Sequence, residues 1–280
     1  MTRRAGIIGH PVAHSLSPAF QAAAFASCGL DVRYERWDTP SAGLAHRLES
    51  LRASTVLGAN VTIPHKEAVI PLLDELGGQS ARAGAVNTIV NREGRLFGFN
   101  TDGPGFVAAL RNEANFDPAG KEVLLLGAGG AARGIAFALA ETKAAQIGIW
   151  NRTPERANRL AADVSVAGGT AVYVNSPPHR AYDCVVNCTS LGMEGTGTEA
   201  ESPSDFEHVR PGSLAVDIVY KPEDTAFLKA ARSAGPQTLG GLPMLIYQGA
   251  LAFELWTGVR APVDVMFEAA RKQLAQGGPR

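Results

Sequence analysis

Apolar residues fall in short runs along this chain, separated by polar, glycine-rich or helix-patterned stretches. In the first third, residues 5–9, 32–37, 56–62 and 86–90 read as strands, with helical stretches between them. One of these stretches, 18–27, is rich in Ala and Phe, and Leu44, Leu48 and Leu51 recur at helical spacing. Strands that alternate with helices predict a mostly parallel sheet. A hairpin follows, turning at Glu93-Gly94 and returning along 96–99. A second alternating series begins near Lys121, with strands over 122–126, 146–150, 171–174, 183–188 and 213–219. Their near-continuous apolar character suits strands covered by helices on both faces. Residues 192–204, rich in Gly, Thr, Glu and Ser, read as a surface loop. Past Gly240-Gly241 the pattern is helical to the end, and Val263, Phe267, Ala270 and Leu274 share one face. That tail is expected to pack back on the first series. The predicted architecture is α/β in two domains, one discontinuous over residues 1–102 plus 241–280 and the other over 103–240.

A chain of 280 residues is long enough for two cores, and 45% hydrophobic with 19% charged residues is ordinary for a soluble enzyme. The net charge of −1 provides no basic footprint, which argues against nucleic acid as the main partner. Three cysteines without a paired framework point to a reducing, cytoplasmic setting. Cys184 and Cys188 sit in an apolar run and read as small buried hydrophobes. Six scattered histidines lack a two-ligand helical spacing, so no metal site is expected. Met1-Thr2-Arg3-Arg4 leads straight into a strand without a signal-peptide core, and no apolar stretch is long enough to span a bilayer. A monomer and a homodimer fit equally well.

The segment Lys121–Ala132 changes the picture most. It reads as a buried strand, a tight glycine turn and a helix of small residues, with Gly127, Gly129 and Ala132 in a G-x-G-x-x-A pattern. Such a turn lets backbone approach a dinucleotide pyrophosphate, and unpaired amides at the helix start hold its charge. Glycine turns of this kind are common in α/β proteins, so the ligand is read from the next strand. Where an NAD site carries an acidic residue, this chain has Asn151-Arg152-Thr153-Pro154-Glu155-Arg156. Two guanidiniums and a hydroxyl can bind a 2′-phosphate that a carboxylate would repel, which favours NADP. The alternative is a solvated loop and first helical turn, with Glu155 as a favourable helix N-terminal charge.

Three segments of the first domain carry more polar side chains than packing needs. In Gly9–Pro18, Ser15 and Ser17 can both hydrogen-bond one carboxylate; alternatively Ser17 caps the helix starting at Pro18, which leaves Ser15 unexplained. In Asn60–Lys66, Lys66 is expected on the first turn of a helix, where the dipole disfavours a cation. A lysine so placed can exchange a proton during carbonyl reduction or steady an alkoxide, although a solvated lysine is the commoner fate. In Gly98–Gly103, Asp102 can orient Lys66 and bond a substrate hydroxyl, or be an ordinary turn aspartate. Asn87 stands at a strand start as a turn residue or a ligand. Together these groups fall at the ends of consecutive strands, where open α/β sheets bind ligands.

These residues carry a family resemblance. The chain resembles the NADP-dependent shikimate dehydrogenases in His14–Pro18, Asn60–Lys66, Gly84–Thr88, Asn100–Gly103, Gly127–Ala131, Asn151–Thr153, Asn187–Met193 and Gly241–Leu245 with Gln248. The resemblance implies a substrate domain separated by a cleft from a Rossmann-type NADP domain, and reversible NADPH-dependent reduction of 3-dehydroshikimate to shikimate in aromatic amino-acid biosynthesis. It implies Lys66 and Asp102 as the catalytic pair, and Ser15, Ser17 and Tyr220 on the substrate carboxylate. Thr62, Asn87 and Gln248 would bind ring hydroxyls. Gly127, Ala128, Gly129, Gly130 and Ala131 would cradle the pyrophosphate, with Asn151, Arg152, Thr153 and Arg156 around the 2′-phosphate. Ile218 and Gly241 would flank the nicotinamide, Ile218 standing where the family often has methionine. Ser17 favours shikimate over quinate. Domain closure is expected, with Gly103, Gly105 and Gly240-Gly241 as hinge sites. A paralogue using quinate or NAD remains an alternative; a non-catalytic sensor would be free to lose Lys66 or Asp102, and both are present.

Overall fold

Where the apolar runs are longest, the strands are buried along nearly their whole length. A computed structural model describes residues 2–78, 80–175, 182–204, 206 and 212–276. The chain divides into two units, residues 1–105 with 246–280 and residues 106–245.

The first unit contains strands β1 (Arg3–Gly9), β2 (Val32–Asp38), β3 (Val56–Val61), β4 (Glu75–Leu76), β5 (Thr88–Arg92) and β6 (Arg95–Phe99). They form one sheet in the order β2-β1-β3-β5-β6-β4. β5 runs antiparallel to both β3 and β6, while the other pairs are parallel. Its helices are α1 (Ser17–Ser27), α2 (Leu44–Ser50) and α3 (Ser80–Ala83). Ile8, Trp37, Leu48, Leu51, Val61, Ile89 and Leu96 meet in its core.

Helix α4 (Asp102–Glu113) carries the chain into the second unit. There β7 (Glu122–Leu126), α5 (Gly130–Glu141), β8 (Gln146–Trp150), α6 (Pro154–Val166) and β9 (Ala171–Tyr173) make two successive βαβ turns. β10 (Cys184–Asn187), β11 (Leu214–Asp217), α7 (Ala226–Ala234) and β12 (Gln237–Leu239) complete it. The six strands are parallel in the order β12-β11-β10-β7-β8-β9. Sequential strands thus go out one way from β7 and then return to its other side, the doubly wound Rossmann topology with its switch point between β7 and β10. Leu124, Leu126, Val185, Ala215, Phe227 and Leu228 pack in one core. Helix α7 is well marked: Thr225 caps its start by accepting from the Leu228 amide, and Gly235 ends it at φ +107°.

Helix α8 (Leu242–Thr257) returns the chain to the first unit, where α9 (Val263–Gln276) packs on α1. Met266, Phe267 and Ala270 supply the buried face of α9. β4 and β12, two and three residues long, are too short to leave a periodic signal.

Candidate active site

In the first unit, Asn60, Thr88 and Phe99 lie abreast on β3, β5 and β6. The reversed direction of β5 is what gathers the site: segments that follow β3 and β6 meet the residue that precedes β5. Lys66 Nζ donates to Asp102 Oδ2 at 2.6 Å, with side chains 18% and 7% exposed. Asn87 Nδ2 donates to the other carboxylate oxygen at 2.7 Å and to Gln248 Oε1 at 3.2 Å. Thr101 fixes which way that amide points, because its backbone N–H reaches Asn87 Oδ1 at 2.7 Å and its hydroxyl does so at 3.1 Å. Lys66, Asn87, Asp102 and Gln248 are therefore brought together.

Two local expectations change. Lys66 is not on a helix; it lies in a turn whose carbonyl accepts from Val86 N at 2.8 Å, so the dipole argument has no helix to act on. Asp102 is the first residue of α4 rather than a turn aspartate, and its carboxylate suits a helix N-terminus. Its own amide donates to Asn100 Oδ1 at 3.1 Å.

Ser15 and Ser17 are also neighbours, Ser17 N donating to Ser15 Oγ at 3.2 Å. Ser17 does not cap α1. It is the first helical residue, Leu16 holds the cap position without a side-chain bond, and Pro18 follows. Nearby on β2 lies Tyr34, whose phenol burial pushes well above the usual range. Tyr34 OH donates to Asn60 Oδ1 at 2.8 Å, and Asn60 Nδ2 reaches Asn87 O and Thr88 Oγ1 at 3.3 Å. A continuous network thus joins Tyr34, through Asn60 and Asn87, to the Lys66–Asp102 pair. Sequence reasoning missed Tyr34 and gave Asn60 no role; Tyr34, 26 residues from Asn60, leaves no local signal. Thr62 is half-buried just beyond β3, where its amide donates to Ile8 O and its carbonyl accepts from His65 N.

In the second unit, Gly127 ends β7 at φ +117°, and a Cβ there would lie 3.1 Å from Cys188 backbone atoms. Its amide donates to Trp150 O at 2.7 Å, tying the turn to the end of β8. Gly129 is exposed with open space where a Cβ would stand, and α5 starts after it without a side-chain cap. Ala128, Gly130 and Ala131 are half-buried around that bare helix start. Asn151 Nδ2 donates to Thr153 O at 2.9 Å, and Arg152 and Arg156 are exposed. Glu155 sits in the first turn of α6. Ile218, half-buried, follows β11, and its carbonyl would lie 2.4 Å from any Cβ on Gly241. Only glycine fits there. Tyr220 is half-buried, and burial raises its phenol pKa. A pyrophosphate at the uncapped start of α5 and a 2′-phosphate at Arg152 and Arg156 both fit these residues.

Family models match in three stretches: a shikimate dehydrogenase substrate binding domain over residues 7–89, shikimate / quinate 5-dehydrogenase over 110–218, and a shikimate 5′-dehydrogenase C-terminal domain over 241–271. The NADP(+) shikimate dehydrogenase of Moorella thermoacetica is 48% identical, the match covering 98% of this chain and 95% of that protein. The shikimate 5-dehydrogenase of Thermus thermophilus, solved with NADP(H) and shikimate, superposes with a TM-score of 0.86 at 46% identity, covering 96% of this chain and 99% of that one. A quinate dehydrogenase from Corynebacterium glutamicum in complex with NAD gives the same TM-score at 31% identity, over 97% and 99% of the two chains.

Proposed function

The chain belongs to the shikimate dehydrogenase family, and on that footing we propose that it catalyses the reversible NADPH-dependent reduction of 3-dehydroshikimate to shikimate, in the cytoplasm. The observation that carries the reading is the 2.6 Å contact between Lys66 and Asp102, held from the other side by Asn87.

NADPH, when bound, supplies the hydride that adds to the ring carbonyl carbon. Lys66 then gives a proton to the carbonyl oxygen as negative charge builds on it, and its ammonium steadies that charge before transfer. Asp102 keeps the ammonium aimed. In the oxidative direction the same lysine takes the hydroxyl proton. Ser15, Ser17 and the Tyr220 hydroxyl hold the substrate carboxylate, and Thr62, Asn87 and Gln248 take ring hydroxyls. A site lined with such groups rejects an analogue lacking the matching hydroxyl by about 10⁴-fold. Gly127 to Ala131 hold the pyrophosphate, with Asn151, Arg152, Thr153 and Arg156 at the 2′-phosphate and Ile218 and Gly241 beside the nicotinamide. The quinate- and NAD-using relative keeps one rival open, and the two exposed arginines argue against it.

Steady-state assays with shikimate and quinate, each against NADP and NAD, test the reading. Shikimate with NADP should give the highest kcat/KM. Faster turnover of quinate with NAD would refute it.

A further inference from the structure

Asp217 is a fully buried carboxylate at the end of β11, and neither the proton chemistry nor the ligand contacts above use it. Burial pushes its carboxyl up, against the pull of three hydrogen bonds. Its Oδ2 accepts from the Thr225 hydroxyl at 2.6 Å. Its Oδ1 accepts from Asn187 Nδ2 at 3.0 Å and from the Val219 amide at 2.9 Å. These donors come from three segments: the start of α7, the end of β10, and the residues directly after β11.

The position of this carboxylate matters more than its charge. β10 and β11 end on the far side of the switch point from β7, where doubly wound sheets bind dinucleotides. Asn187 has anchors of its own, accepting from the Thr189 amide at 2.9 Å and hydroxyl at 2.7 Å and donating to Leu191 O at 3.2 Å. Residues 187–191, whose Cys188 backbone lies against the Gly127 turn, therefore keep their shape without Asp217. The segment after β11 is tied to β10 at one point, Ile218 N donating to Asn187 O at 3.1 Å. Val219 N bonds Asp217, Val219 O accepts from Gly241 N at 3.2 Å, and the Ile218 carbonyl packs against Gly241 Cα. Ile218 is thus pinned between Asn187 and Gly241, and Val219 between Asp217 and Gly241.

We propose that Asp217, held by Thr225, is a positioning residue that fixes the Ile218–Val219 backbone as one wall of the nicotinamide subsite. This rests on the reading of Ile218 and Gly241 as nicotinamide neighbours. Asp217→Asn replaces one acceptor oxygen with an amide that cannot accept, so at least one of the three donors loses its partner. Thr225→Val removes the shortest bond while leaving the carboxylate in place, and Thr225→Ser restores it.

Calorimetric titration of each folded variant compares NADP with 2′-phospho-ADP-ribose, which lacks the nicotinamide. Asp217→Asn and Thr225→Val should weaken NADP about tenfold, the scale of one lost charge-assisted hydrogen bond, and change the fragment less than about twofold. Thr225→Ser should bind both like the parent. Equal weakening of NADP and fragment would overturn the proposal, as would unchanged NADP affinity in Thr225→Val. Because both probes are bound and not turned over, a chain that behaved this way yet failed to oxidise shikimate would refute the catalytic reading alone.

Discussion

At the scale of single residues, the Lys66 ammonium is bonded to Asp102 and is the proposed proton donor. Lys66→Ala should remove most shikimate-dependent NADP reduction while NADPH affinity, read by fluorescence titration, stays within about twofold; retained turnover would end the proton-transfer assignment. Asn87 is more tightly bound into the protein than a free ligand group would be. Both of its amide hydrogens are engaged, on Asp102 and Gln248, and Thr101 occupies its oxygen. Asn87→Ala should therefore lower kcat more than it raises KM for shikimate, because it releases the carboxylate that aims the lysine. The grouping of these residues was legible from sequence, since Lys66 and Asp102 follow predicted strands and Asn87 stands at the start of one. Tyr34, Asn187 and Asp217 were not, because their partners lie on other strands, and a lone polar residue in an apolar run looks the same whether bonded or not.

At the scale of elements, the apolar runs predicted β7 and β8 residue for residue, because strands buried on both faces need no help from the turn sequence. The hairpin pattern gave β5 and β6 opposite directions, but not that β5 runs against β3, which depends on tertiary pairing. Helix α4 shows the same limit. Gly105 was expected to bend, yet it lies inside the helix with its Cα against the Gln248 backbone, where a Cβ would come within 2.5 Å of the nitrogen. Alanine there gains about 1 kcal/mol of helix propensity but overpacks a backbone contact at about 1–3 kcal/mol. Gly105→Ala should lower the melting temperature and cut kcat/KM through displaced Gln248; a stabilised variant would show that the contact yields. The connection into β4 has its own clamp. Asp74 accepts from Arg52 Nη1 and from Leu96 N, each at 2.6 Å, and the Arg52 guanidinium, with that amide, holds its carboxyl below the usual range. A lowered carboxylate pKa contributes stability that is present above the ordinary value and lost as pH falls through the folded one. The melting temperature of Asp74→Asn should therefore trail the parent at pH 7, with the gap closing below about pH 4. A gap independent of pH would exclude the charge.

At the scale of the whole molecule, the proposed ligands divide between the two units, with most shikimate contacts in residues 1–105 and 246–280 and the NADP contacts in 106–245. A ligand that binds only the native state protects what it touches. In hydrogen exchange, shikimate alone should slow amides around residues 60–66, 86–88 and 100–102, and NADP alone those around 127–132 and 151–156. Protection of the glycine turn by shikimate alone would contradict the division. The direct contact of Lys66 with Asp102 has a consequence of its own. The two charges cancel within 2.6 Å, and the groups proposed for the substrate carboxylate are neutral hydroxyls with one guanidinium beside them, Arg36 on Ser15 O at 3.0 Å, so that half of the site carries a single cation to attract the substrate. Arg152 and Arg156, proposed for the 2′-phosphate, are by contrast both exposed cations. Raising ionic strength from about 0.01 M to about 1 M, which shortens the screening length from about 30 to about 3 Å, should raise KM for the singly charged shikimate less than KM for NADP.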